Sequence, residues 1–121
     1  SDYLPHNYEK NCVVYTGTHD NDTLCGWYKV LDPDDLKLSQ KYMNNANTPK
    51  RQIHWDFIRL ALASVADLCI IPLQDYLGLG SEARINTPST LGNNWRWRMT
   101  QGCLTKELAD QIRELTTLYG R

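Results

Sequence analysis

The chain has 121 residues, with 13 basic and 14 acidic side chains and a net charge of −1. That length suits one small domain with a modest core. The balanced charge argues against a nucleic-acid partner, which would call for a basic excess or stripe, and no apolar run is long enough to span a membrane. The opening Ser-Asp-Tyr-Leu-Pro-His has neither a basic start nor an apolar stretch, so no signal peptide is expected there. Residues 1–11 are polar and irregular. Residues 12–16, Cys-Val-Val-Tyr-Thr, are β-branched and aromatic and read as a buried parallel strand, ended by Gly17. Asp22 or Thr23 can cap a short helix through Gly26, Trp27 and Tyr28. Asp32, with Pro33 at the first helical position and Asp34 and Asp35 behind it, starts a helix running to about Met43.

Residues 50–66 read as a helix with Ile53, Phe57, Leu60, Ala61 and Val65 on its apolar face. Residues 68–73 are apolar at every position and read as a second buried strand, with Pro72 tolerated at its end. Strand, helices and strand together make a parallel βαβ crossover. Residues 74–103 are the least regular part, and a long loop inside a compact domain is usually functional. Residues 104–119 form a last amphipathic helix, capped by Thr105, with Leu108, Ile112, Leu115 and Tyr119 on one face. Two parallel strands cannot cover their own edges, so the chain reads as a piece of a larger α/β structure.

Four cysteines stand at 12, 25, 69 and 103 without a C-x-x-C pair. They are expected to be reduced, in a cytoplasmic setting, and their spacing gives no zinc site. Cys25 with His19 lacks the oxyanion and base pattern of a thiol nucleophile. Gly78-x-Gly80 lacks the third glycine of a dinucleotide fingerprint. No cofactor is implied.

The densest chemistry is Thr18-His19-Asp20-Asn21-Asp22-Thr23, delivered at the carboxyl end of the first strand. Ligands of α/β folds bind at such ends. A carboxylate there accepts bonds from sugar hydroxyls and stabilises an oxocarbenium-like transition state. A polar turn that only caps a helix explains the same residues equally well. A calcium loop does not, because Cys25 and Leu31 stand where glycine and glutamate are needed. Gln74 and Asp75 end the second strand and are either functional or caps of the next short helix. Asn94-Trp95-Arg96-Trp97-Arg98 alternates aromatic and basic residues. It reads as a corner of Arg packed on Trp in preference to a stacking surface for sugars or bases.

Three blocks carry a family resemblance. They are Val13-Val14-Tyr15-Thr16-Gly17-Thr18-His19-Asp20-Asn21-Asp22-Thr23, the stretch from Pro72 through Gly78-Leu79-Gly80-Ser81-Glu82-Ala83-Arg84-Ile85-Asn86 to Thr87-Pro88, and Gly92-Asn93-Asn94-Trp95-Arg96-Trp97-Arg98. In this order they resemble the 4-α-glucanotransferases (amylomaltases or disproportionating enzymes) of glycoside hydrolase family 77. The family usually carries a glycine soon after Thr-Pro and a single Asn after Gly, where this chain has Ser89 and Asn93-Asn94.

The resemblance implies an α/β chain in which residues 1–121 are a single C-terminal fragment of a (β/α)8 TIM barrel. Residues 12–16 would be its seventh strand and 68–73 its eighth. It implies transfer of α-1,4-glucan segments between maltooligosaccharides by a retaining double displacement. Asp20 would be the transition-state-stabilising carboxylate, with His19 and Asn86 binding sugar. The nucleophile and acid/base would lie in the missing N-terminal part of the barrel, so the chain alone would be inactive. A non-catalytic α-glucan-binding or purely structural fragment is the alternative.

Overall fold

A computed structural model describes all of residues 1–121. Two strands, β1 (Val13–Tyr15) and β2 (Leu68–Ile70), pair in parallel with Val13 opposite Leu68, Val14 opposite Cys69 and Tyr15 opposite Ile70. Helices α1 (Leu24–Lys29), α2 (Pro33–Met43) and α3 (Ile53–Ala63) lie in the crossover. After β2 come α4 (Leu73–Tyr76) and, past an irregular stretch, α5 (Lys106–Leu118). Short 3-10 turns occupy Pro5–Asn7, Lys50–Gln52 and Ser81–Ala83.

Local chemistry sets the helix starts. Asp32 accepts from the amides of Asp34 and Asp35, and Pro33 needs no amide partner in the first turn. Thr23, not Asp22, caps α1 by accepting from the Gly26 amide at 3.1 Å. Thr105 caps α5 through the Leu108 amide. Asn44 ends α2 in the left-handed region at φ 54, where Asn is tolerated better than most residues.

Both strands are shorter than expected. β2 stops at Ile70, and Leu73 belongs to α4. Pro72 has no amide for the ladder and stands at the helix entrance instead. The helix expected over 50–66 is a 3-10 turn followed by α3, which ends where Ser64 turns extended and its hydroxyl takes the Ala61 carbonyl at 2.7 Å.

α3 is the hub of the core. Trp55, Ile58 and Leu62 pack with Leu24 and Leu115, while Ala61 packs with Val14 and Ala66. Leu108, Ile112 and Tyr119 of the α5 region pack on the first of these clusters. The buried face of α3 is therefore wider than the expected stripe: His54, Trp55, Ile58 and Leu62 are buried, and Val65 lies past the helix and is exposed. Arg121 donates to the carbonyls of Leu62, Ser64 and Ala66 and ties the C-terminal end of α5 to that of α3.

The sheet is covered on one face only. Val14, pointing at α3, is 6% exposed, whereas Val13, Tyr15, Leu68 and Ile70 are 42–52% exposed. In register, those four residues form two apolar pairs on the bare face. A self-contained monomer of 14.0 kDa would expose about 6,700 Å². This chain exposes 8589 Å².

Candidate functional site

β1 and β2 run in parallel, so the loops after them emerge side by side. Asp75, just past β2, joins them. It is 2% exposed, accepts the Thr16 hydroxyl on Oδ2 at 2.7 Å, and accepts the Leu24 amide on Oδ1 at 2.9 Å. It thus caps α1, across the fold, and not the helix it belongs to. Burial pushes its carboxyl up from the ordinary value; the bonds from Leu24 and Thr16 pull it partly back, and Asp22 adds to the rise. Gln74 is also buried and donates to the Ala83 carbonyl.

Above this brace the polar loop is closely tied. Asn21 Oδ1 accepts from the Thr18 amide at 2.7 Å and the Thr18 hydroxyl at 2.9 Å, closing an Asx-type turn. Asp22 accepts from the Thr23 amide and the Ser81 hydroxyl, so its carboxylate is committed to structure. Gly26 is required beneath it. A Cβ there would press on Ser81 Oγ and come within 2.6 Å of the Asp22 carboxylate. Cys25 is half-buried, and burial, then Asp75 and Glu82, push its thiol up, which leaves it a poor nucleophile.

Asp20 and His19 remain outside this frame, each about half exposed. Their side chains approach at 3.4 Å, Nε2 to Oδ2. Asn86 reaches over from the second loop and donates its amide to Asp20 Oδ1 at 2.7 Å. Its own backbone amide donates to the His19 carbonyl at 3.0 Å. Arg84 completes the clasp, donating to the Asp20 carbonyl at 2.7 Å and the Asn86 carbonyl at 2.9 Å. The three residues expected to bind or stabilise sugar are thus brought together across 66 positions of sequence. Arg84 was not singled out from the sequence, although it stands two residues before Asn86. The arrangement is a carboxylate fixed on one oxygen by an amide and left open to solvent, beside an imidazole. Such a pair can receive vicinal hydroxyls.

The expected Arg-on-Trp corner does not form. Arg98 donates to the Trp97 carbonyl at 2.8 Å, and the Trp95 indole lies against His19, ring centroids 5.1 Å apart. Trp95 adopts φ 62, a left-handed conformation that costs a bulky residue about 1–2 kcal/mol. Its amide is held by the Ile85 carbonyl at 2.7 Å. A mostly apolar cavity of about 410 Å³ is lined by Tyr8, Val14, Trp27, Leu38, Tyr42 and Phe57 among others; it does not include His19 or Asp20.

The family model for 4-alpha-glucanotransferase matches residues 1–105. The chain belongs to the 4-alpha-glucanotransferase family. The 4-alpha-glucanotransferase of Clostridium butyricum is 50% identical over 120 residues, covering 98% of this chain and 24% of that protein. The chloroplastic/amyloplastic member of the family from Arabidopsis thaliana is 47% identical over 122 residues, covering 98% of this chain and 21% of that protein. Among solved structures, the amylomaltase of Streptococcus agalactiae in complex with acarbose superposes with a TM-score of 0.92 at 36% identity, over 100% of this chain and 24% of that one. The chain therefore spans about a quarter of the length of its relatives in the 4-alpha-glucanotransferase family. No helix in it is long and apolar enough to cross a membrane.

Proposed function

We propose that this chain is the part of a 4-α-glucanotransferase that supplies the stabilising carboxylate, Asp20, and the sugar-binding side chains His19 and Asn86. The observation that carries the reading is the convergence of His19 and Asn86, from two loops at the carboxyl ends of parallel strands, on the half-exposed Asp20 carboxylate, Asn86 at Oδ1 and His19 at Oδ2. As an oxocarbenium-like centre develops on a bound glucosyl ring, a fixed carboxylate nearby gains more from the transition state than from the ground state. The Asn86 amide keeps that carboxylate from swinging away, and Arg84 holds the backbone of Asp20 through its carbonyl.

The same reading assigns β1 and β2 to two neighbouring strands of a closed (β/α)8 barrel, the seventh and eighth by the resemblance of their motifs. The bare sheet face supports this: Val13, Tyr15, Leu68 and Ile70 leave an apolar face open, as the inward-pointing side chains of barrel strands would. The surplus exposed surface is what neighbouring strands and helices would cover. Nucleophile and acid/base would come from that remainder, because a retaining mechanism needs two carboxyls about 5 Å apart. Asp22 and Asp75, the other acids beside Asp20, are occupied by structural bonds. The substrates are α-1,4-glucans and maltooligosaccharides. The compartment is a reducing one, in keeping with four unpaired cysteines, and we assign the cytoplasm.

Disproportionation of maltotriose tests the reading. The full-length enzyme is expected to turn it over and the 121-residue chain is not. Asp20→Asn in the full-length enzyme is expected to lower kcat by a factor of about 100 or more, as loss of a preorganised stabilising group does. Turnover by the chain alone, or near-normal kcat in Asp20→Asn, rejects it.

A further inference from the structure

Besides Arg84, the fold places the Trp95 side chain against the Asp20, His19 and Asn86 set. Its indole is 58% exposed and lies over the His19 imidazole with the planes tilted by 36°. Large aromatic rings are usually buried. This one stands on a backbone conformation that side chains rarely adopt, at φ 62. Backbone outliers of this kind persist where the surroundings hold them, and they cluster at functional sites.

The surroundings do hold it. The Trp95 amide donates to the Ile85 carbonyl at 2.7 Å. Asn94, next to it, accepts from the Thr87 amide at 2.9 Å and donates to the Thr90 hydroxyl at 3.0 Å. Ile85 stands between Arg84 and Asn86, the two residues that fix Asp20. One short segment therefore sets the carboxylate and the indole relative to each other. A pyranose ring presents hydroxyls at its edge and an apolar C–H face. A site for it needs polar groups and a flat apolar wall side by side, and His19, Asp20 and Trp95 provide that combination.

We propose that Trp95 is a sugar-stacking residue, its indole packing on the C–H face of a glucosyl ring whose hydroxyls His19 and Asp20 hold. The proposal rests on the α-glucan reading above and adds a specificity-determining residue to it. The test is kinetic, on the full-length enzyme with maltotriose, comparing wild type, Trp95→Leu and Trp95→Phe, with melting temperature and circular dichroism recorded for each. Trp95→Leu is expected to raise KM roughly ten-fold, with a smaller change in kcat, and Trp95→Phe to recover most of the loss, because a smaller aromatic face still stacks. Maltotriose is expected to perturb the intrinsic tryptophan fluorescence of wild type more than that of either variant.

An unchanged KM in a folded Trp95→Leu enzyme overturns the proposal. So does a KM rise that Trp95→Phe fails to recover while both variants melt early, since that pattern marks a purely structural residue. If Trp95→Leu does not fold, an undiminished fluorescence response in Trp95→Phe overturns it. A wild-type enzyme that does not turn over maltotriose refutes the α-glucan reading and this proposal with it; an active Trp95→Leu enzyme with normal KM refutes only the stacking role.

Discussion

Asp75 is the brace on which the site stands, and replacing it separates two effects of a buried carboxylate. Asp75→Leu keeps the bulk of the side chain and removes both acceptors. The Leu24 amide, in the first turn of α1, then has no partner at a position that is 6% exposed. A buried orphan amide costs about 1–3 kcal/mol, and the lost Thr16 bond adds about 1 kcal/mol. Relief of the desolvated charge offsets part of this, so the expected net loss is about 2 kcal/mol. Asp75→Asn behaves differently. Its carbonyl can accept from Leu24, and its amide can donate to the Thr16 hydroxyl, which turns to accept. It should stay within about 1 kcal/mol of wild type at pH 7.

The pH dependence is a second handle. Folding raises the Asp75 carboxyl above its ordinary value, so the protonated form is the one folding favours. Its contribution is full below the unfolded value of about 3.9 and is lost as pH rises through the folded one. The stability of wild type relative to Asp75→Asn should therefore grow as pH falls toward 4 and shrink toward neutrality. Urea unfolding of the 121-residue chain, followed by circular dichroism across that range, measures both quantities. An Asp75→Leu midpoint equal to wild type refutes the bracing role, and a wild-type advantage that grows with rising pH refutes the direction of the shift.

Two glycine-linked substitutions should move stability in opposite directions. Gly78 sits at φ +65, and a Cβ there would stand 2.8 Å from the buried His54 ring. Gly78→Ala therefore combines backbone strain with a clash and should cost about 2 kcal/mol or more, read as a lowered melting temperature. Ser89 adopts φ 63. Ser89→Gly relieves about 1–2 kcal/mol of left-handed strain against up to about 1 kcal/mol of added chain entropy, so a small rise in urea midpoint is expected. A fall in that midpoint would count against the assigned conformation.

The features legible in the sequence are those governed by neighbours a few residues away. Asp32, Thr23 and Thr105 cap their helices because a cap needs only the amides of the next turn. The parallel pairing of residues 13–15 and 68–70 followed from two apolar runs separated by helices. The resemblance of the first two motif blocks pointed to His19 and Asp20 and to Asn86. What sequence could not supply depends on distant packing. α3 buries His54, Trp55, Ile58 and Leu62 because it is wedged between β1, α1 and α5, so a single apolar stripe underestimates its contacts. Asp75 caps α1 because the parallel pairing of β1 and β2 sets the loops after them side by side.

From sequence alone the polar loop after the first strand reads as a sugar site or as a helix cap, and in the structure its residues part into two groups. Thr23 caps α1 and Asp22 is bonded to the Thr23 amide and the Ser81 hydroxyl, while His19 and Asp20 stay half exposed, with Asn86 and Trp95 drawn in from the stretch after the second strand. Residue order determined which chemical groups were available. The parallel register determined which of them meet, because only folding brings side chains 66 positions apart within hydrogen-bonding distance.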